Sequence, residues 1–526
     1  MHRTSPGMSK SIVISMALFG LFSVSSSLFA QHTYYISKSS GSDGNSSSAA
    51  QSKSTPWAHL PGMPSCTASC AGYTPVAGDQ FILKGGDTWV ASDLGIGWAW
   101  SGTAGARIYI GVDPTWYSGS YWTRPVFTFG GGYGGGSGLH VTNMWYSGAQ
   151  YFTVDNIEFT GFGTSNKVGG NIVYGYGQNQ EFEHLYIHGW KHSSSGDGDN
   201  GQVFGFGGMP VNGSAIHDCV VDGSDTTKDM MAAFIGNIPN AYNNIILYVS
   251  NGFEATGDNW HDNFVGPIGQ SFSSGAHQNA MFNFGPAYAS TMVLYNNVIT
   301  GTVGSICGSV CGGIVKLWLT GNEVTTATGY AFNNVLYNNS TGNYINLGSH
   351  GATTYGTWYF FNNTVECGSD TTTQQCFGDA GAPSGELVTF HSMNNHWISN
   401  NSPAVACSVF TCTSTSDVLQ TVSAASSQGY KSSVTMAFSP SGTGATSGAG
   451  TNLQSVCSAI GQTNSAAGTA CQSSTGYACS YNTSNHSVSC PAATLSARPG
   501  SGAWDAGAYQ GAVAVQPASG VTATPH

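Results

Sequence analysis

Between about Tyr151 and Asn401 the chain repeats itself. An Asn, Asp or His is followed by a short alternating apolar run and then by Gly, Asn or Ser: NIEFTG from Asn156, HLYIHG from His184, DCVVDG from Asp218, NIILYV from Asn244, NFVG from Asn263, NVITG from Asn297, NVLYNN from Asn334, NTVECG from Asn363 and NHWISN from Asn395. Successive starts lie 19 to 37 residues apart, a spacing that signals a solenoid. Each unit is one short strand between turn residues, too small to bury its own apolar face, so the core must come from stacking on neighbours. Helical repeats are excluded, because 3.6-period stretches are missing and Gly, Asn and β-branched residues dominate. Unequal steps favour a solenoid with loops of varying length over a propeller. Asn at equivalent turn positions suits the αL conformation and can form side-chain ladders between coils.

Composition bounds the function. With 40% apolar and 12% aromatic residues in 526 there is material for a continuous core. Only 7% of residues are charged, and 13 Lys+Arg face 25 Asp+Glu, a net charge of -12. Nucleic-acid binding through clustered basic residues is therefore excluded. Residues 1–30 read as a secretory leader: Arg3 and Lys10 precede the apolar stretch Ile12 to Phe22, and small residues lead to Ala30, where cleavage is expected. The run is too short for a membrane span, and no later stretch reads as one. Thirteen cysteines in close sets (Cys66 with Cys70, Cys307 with Cys311, Cys367 with Cys376, Cys407 with Cys412, then Cys457, Cys471, Cys479 and Cys490) fit local disulfides in an exported protein, with Cys219 left over as a buried thiol.

Four segments carry a family resemblance: Asp43-Gly44-Asn45 followed by Pro56-Trp57, GDQFILKGGDTW from Gly78 to Trp89, ARIYIG from Ala106 to Gly111, and RPGSGAWDAGAY from Arg498 to Tyr509. Together they resemble secreted bacterial right-handed parallel β-helix proteins of the pectate-lyase-like superfamily, over roughly residues 33 to 511. The resemblance implies an all-β fold, a right-handed parallel β-helix with irregular caps. It is specific for architecture and weak for activity, since this scaffold hosts lyases, hydrolases and adhesins. The expected organisation is a leader at 1–30, an N-terminal cap and first coils at 31–150, central coils at 151–401, disulfide-stapled C-terminal coils or cap at 402–511, and a disordered tail at 512–526.

Charge is rare, so its clustering is informative. The window Glu181 to Asp262 holds 11 of the 25 acids, together with His184, His188, His192, His217, His261, Lys191 and Lys228. If the turns at Gly189, Gly223 and Gly252 lie in register, His188, Asp222 and Asn251 form one column, with side chains about 4.8 Å apart per coil. Three readings follow. Two carboxylates among Asp222, Asp225 and Asp229 hydrolyse a glycosidic bond, with His188 nearby; or Asp197, Asp199 and Asn200 bind Ca2+ that bridges a uronate while Lys191 removes its C5 proton; or the acids are structural or solvated. Trp190, His192, Trp260 and His261 are the expected substrate contacts, and tryptophans between Trp89 and Trp145 could form a glycan platform. No organic cofactor is implied, and no motif of the polygalacturonase set is present. The expected partner is an extracellular polysaccharide, cleaved or, in the alternative, bound by a non-catalytic adhesin or matrix protein.

Overall fold

The computed structural model describes residues 31–130, 143–164, 170–192, 201–207, 212–225, 232–249, 251–268, 278–283, 291–300, 314–319, 327–337, 345–347, 355–367, 376–379, 387–400, 405, 407, 410–427 and 444–511. The expected leader and tail, the Gly130 to Gly138 loop beyond Gly130, Asp197, Asp199, Asn200, Asp229 and the Cys307/Cys311 set lie outside the described residues, as do the side chains of Lys191 and His192.

Three parallel sheets run the length of the molecule. Sheet A has 13 strands, from Thr33–Ile36 to Thr411–Thr415; sheet B has 12, from Thr88–Trp89 to Val418–Gln420; sheet C has 10, from Ile96–Trp98 to Phe377–Asp379. One coil visits them in turn, as in Phe152–Asp155 (A), Glu158–Thr160 (B) and Gly170–Gly175 (C), before returning to sheet A at Gln180–Glu183. Each strand pairs with its counterpart one coil away, so the chain is a right-handed parallel β-helix. Period-2 alternation sends one set of side chains inward and the other to solvent. The inward set forms one continuous core from Ile36 through Phe182 and Trp260 to Trp397.

The passage from sheet A to sheet B is a tight turn that assigns two jobs to two adjacent residues. One residue per coil has positive φ: Asn156, His184, Asp218, Asn243, Asp262, Asn296, Asn333, Asn362 and Asn394, at 52° to 61°. Short polar side chains tolerate this conformation best. The next residue points inward, and from Asn244 these side chains form a buried ladder. Each Nδ2 donates to the Oδ1 one coil on, through Asn263, Asn297, Asn334, Asn363 and Asn395 to Asp417, at 2.9–3.1 Å. The αL and ladder roles expected of a single Asn position are therefore split between neighbours. In the coil before Asn244 the inward position is held by Cys219, fully buried, with its backbone N–H on Asn244 Oδ1, and in the two coils before that by Leu185 and Ile157.

Residues 444–511 do not add coils but fold back along the A-to-B turns. Asn394 Nδ2 donates to the Thr451 carbonyl and Asn333 Nδ2 to those of Ala470 and Ser473, while Asn464 Nδ2 reaches Asn259 Oδ1. The strap turns back at the antiparallel hairpin Ser480–Asn482/Ser487–Ser489 over sheet B, where Arg124 donates to the Asn485 carbonyl. Disulfides Cys457–Cys471 and Cys479–Cys490 staple it; Cys66–Cys70, Cys367–Cys376 and Cys407–Cys412 are the other described bridges. No described helix is long and apolar enough to cross a membrane.

Candidate functional site

The rare charges gather on two faces that meet at the A-to-B turn. On sheet B, His188 stands in register with Asp222, and the next residue of that column is Leu247. Asn251, expected there, instead opens a strand of sheet C. His188 Nδ1 lies 2.7 Å from Asp225 Oδ2 and its Nε2 3.1 Å from Glu158 Oε1. Burial disfavours its charge, but these two carboxylates outweigh burial and carry the imidazole up to about 9. Burial likewise works against Asp225, yet the His188 cation holds it below the usual carboxylate range. Asp222 is buried under the hairpin, accepting from Ser224 N–H on one oxygen and the Tyr481 hydroxyl on the other. Both nitrogens of His188 and both oxygens of Asp222 are thus engaged.

Two expected substrate contacts are core residues. Trp190 is 2% and Trp260 0% exposed, and Trp260 donates to the Ile238 carbonyl. In a solenoid the inward face takes the largest apolar side chains, because only stacking supplies a core. For the same reason Trp89, Trp98 and Trp145 fill the interior instead of forming a platform. His261 does face outward on sheet A, with Nδ1 2.7 Å from Asp262.

Sheet A carries the denser set. Thr153, Asp155, Glu181 and Glu183 alternate with buried Val154 and Phe182, so strand period places all four on the outer face. Register aligns Asp155, Glu183, His217, Tyr242 and His261 in one column, and Tyr109, Thr153 and Glu181 in the next. His184, at the αL position, brings Nδ1 to 2.8 Å from Asp155 Oδ1. Tyr109 donates to the other Asp155 oxygen at 2.5 Å. Gly111 makes that reach possible, since a Cβ there would lie 2.3 Å from the Tyr109 hydroxyl.

The two glutamates differ sharply. Glu181 accepts from His217 and from Thr153 at 2.8 Å and forms an ion pair with Arg107 at 3.3 Å; the His217 bond is the largest influence, and the carboxyl falls to about 2. Glu183 is raised, first by burial and then by the charge of Asp155. His217 sits between them, Nε2 3.3 Å from Glu181 and 3.6 Å from Glu183, with Nδ1 2.8 Å from Asp218. Burial opposes its charge, but the bonds to Asp218 and Glu181 raise it to about 9.

Two sets, Asp155/Glu183/His184 and Glu181/Glu183/His217, bring one potential ligand atom per residue within 4.8 Å of one another. Calcium prefers six to eight oxygens. Both sets contain a histidine, and His217 and His184 are held in the charged form by carboxylates, His184 above all by Asp155. Each set offers only two carboxylates beside a histidine nitrogen, a donor set poor in the oxygens calcium requires.

These raised histidines make stability depend on pH. His217 and His188 favour the folded state fully below 6.5, and that contribution is lost as pH rises through about 9. Glu181 contributes above 4.5 and loses its contribution as pH falls toward about 2. The urea midpoint is therefore expected to peak between these limits and to decline from pH 6.5 to 9, less steeply in His217→Gln. A flat profile across that interval would remove the paired-cation assignment.

No family model and no curated protein matches this chain. Among solved structures it is similar to a pectate lyase (16% identity, 80% of this chain and 92% of that one, TM-score 0.42). It is also similar to a GH136 lacto-N-biosidase from Eubacterium ramulus (12%, 74% and 68%, TM-score 0.40) and to a rhamnogalacturonan lyase (14%, 73% and 87%, TM-score 0.37). The likeness is one of coil architecture.

Glu181, Glu183, His184 and His217 fall inside the acidic window of the sequence but received no role there, and Asp155 and Glu158 lie outside it. The signal was present: Asp155, Glu183 and His217 each immediately precede the residue that opens a repeat.

Proposed function

We propose that this protein is an exported glycoside hydrolase acting on an extracellular polysaccharide at the sheet A face. The observation that carries the proposal is the Glu181/Glu183 pair: one carboxyl lowered to about 2 and the other raised, with oxygens within 4.8 Å. Environments that push two carboxyls apart assign acid and base, and a close pair suits the retaining geometry. Residues two apart on a strand stand about 6.6 Å from each other along it. They can therefore flank a glycan laid along the stacking axis.

Glu183 protonates the glycosidic oxygen as the C–O bond breaks, and the Glu181 carboxylate forms the bond to the anomeric carbon. Glu183, now ionised, takes a proton from water, whose oxygen displaces Glu181. One water is consumed per bond. Asp155, fixed by Tyr109 and His184, favours the protonated form of Glu183, and His217 positions both glutamates. The ligands expected for calcium-assisted elimination by Lys191, namely Asp197, Asp199 and Asn200, lie outside the described residues, so that reading draws no support from the sheet A face. Non-catalytic adhesion gives no reason for the divergence of the two glutamates.

The test is incubation with neutral and uronic-acid polysaccharides, with and without EDTA, and mass spectrometry of the product ends. Products carrying added water and indifferent to EDTA are expected. Unsaturated ends lost with EDTA would replace hydrolysis by elimination.

A further inference from the structure

The outer face of sheet A is bounded at one end by the returning strap. From Glu183 toward the C-terminus its floor continues as His217, Tyr242 and His261, registered coil by coil, with rings stacked at centroid distances of 4.5 and 5.1 Å. Tyr295 follows in the same column, 4.7 Å from the His261 ring, but it is only 4% exposed. The helices Gln454–Thr463 and Ser465–Cys471 of the returning strap cover it, packing Cys457, Ile460 and Ala467 against Tyr295 and its neighbours. At the lip of this wall Asn464 caps the second helix by accepting from Ala467 N–H, and its amide donates to Asn259 Oδ1 at 3.2 Å. Three coil spacings separate Glu183 from His261, about 14 Å at ~4.8 Å per coil.

The charge along this stretch selects as well. Asp218 and Asp262 flank the floor, each paired with the histidine beside it. Among the described residues from 215 to 262 there is no Lys or Arg. A uronate carboxylate would meet Asp218 and Asp262 with no described Lys or Arg beside them and His217 already paired with carboxylates, whereas neutral sugar hydroxyls can donate to the acids.

We infer that the site takes a neutral glycan by its end, an inference that rests on the Glu181/Glu183 chemistry proposed above. Terminal sugars lie over Tyr242 and His261, the two half-buried rings of the column, the helix pair stops the chain, and hydrolysis at Glu183 releases a short product of one length. Tyr242 and His261 are the specificity-determining contacts.

The experiment uses the purified protein with xylan, mixed-linkage β-glucan, galactan, polygalacturonate and alginate, with product lengths read by mass spectrometry early in the reaction. One dominant short product from a neutral polymer is expected. A spread of random lengths from the outset, or cleavage of the uronate polymers alone, overturns the inference. Tyr242→Phe keeps the ring stack and removes the hydroxyl; on the preferred polymer it should raise KM about tenfold with kcat nearly unchanged, and His261→Gln likewise. Unchanged KM in both variants also counts against it. Glu183→Gln separates the two levels. If cleavage needs Glu183 but lengths are random, the end stop fails alone. Single-length products that survive Glu183→Gln overturn the catalytic assignment and leave the end stop standing. No cleavage of any of the five polymers overturns both.

Discussion

Glu183→Gln is expected to lower kcat about 10²- to 10⁴-fold, the usual effect of removing a positioned general acid, with the urea midpoint little changed. The substitution keeps size and hydrogen bonding but cannot deliver a proton. Glu183 is raised because burial and the neighbouring Asp155 both disfavour its charge, so in the native protein it retains a proton where an ordinary glutamate has lost it. The pH profile has a determined sign. Activity requires Glu181 ionised, which holds above about 2, and Glu183 protonated, so the rate falls as pH rises through the raised Glu183 value. Asp155→Asn removes the charge that helps raise Glu183 and should move the falling limb to lower pH. The sheet B face supplies the decisive contrast. If Asp222→Asn or Asp225→Asn abolished cleavage while Glu183→Gln did not, the chemistry would belong beneath the hairpin.

Much of the architecture was legible because it is periodic. A strand ending in a polar turn residue, repeated every 19 to 37 residues, leaves few options besides stacked coils. What resisted reading was registration and the third dimension. Placing Gly189, Gly223 and Gly252 in one column requires equal coils, but the turn after Leu247 follows a different path, and Asn251 passes to sheet C. Trp260 stands between Asn259 and His261, and strand alternation turns it inward while they face out; Trp190, next to Lys191 in sequence, is buried as well. The acid pair was hidden for a related reason: Glu181 and Glu183 look like isolated charges in QEFEH, and only stacking on Thr153 and Asp155 gives them partners. The strap was beyond reach altogether. Contacts between Tyr481 and Asp222 or between Asn464 and Asn259 join residues more than two hundred positions apart, without any periodicity to announce them.

Asn297→Leu is expected to cost about 3 to 5 kcal/mol, measured as a fall in urea midpoint, because it orphans buried groups on both sides of the ladder. Asn297 is 1% exposed. Its Oδ1 accepts from both the backbone and side-chain nitrogens of Asn263, and its Nδ2 donates to the Trp260 carbonyl and to Asn334 Oδ1. Leucine fills the space and returns none of these bonds, so the Asn263 N–H and the Trp260 carbonyl stay buried without a partner. The adjacent residue provides the comparison. Asn296 has φ 55°, a conformation glycine adopts without steric cost, so Asn296→Gly should change stability by only about 1 kcal/mol or less. Two Asn residues side by side are then unequal for a physical reason: one is chosen for what its backbone tolerates and the other for what its amide connects. A loss at Asn296 matching that at Asn297 would mean that the turn is held by its side chain and not by its backbone conformation.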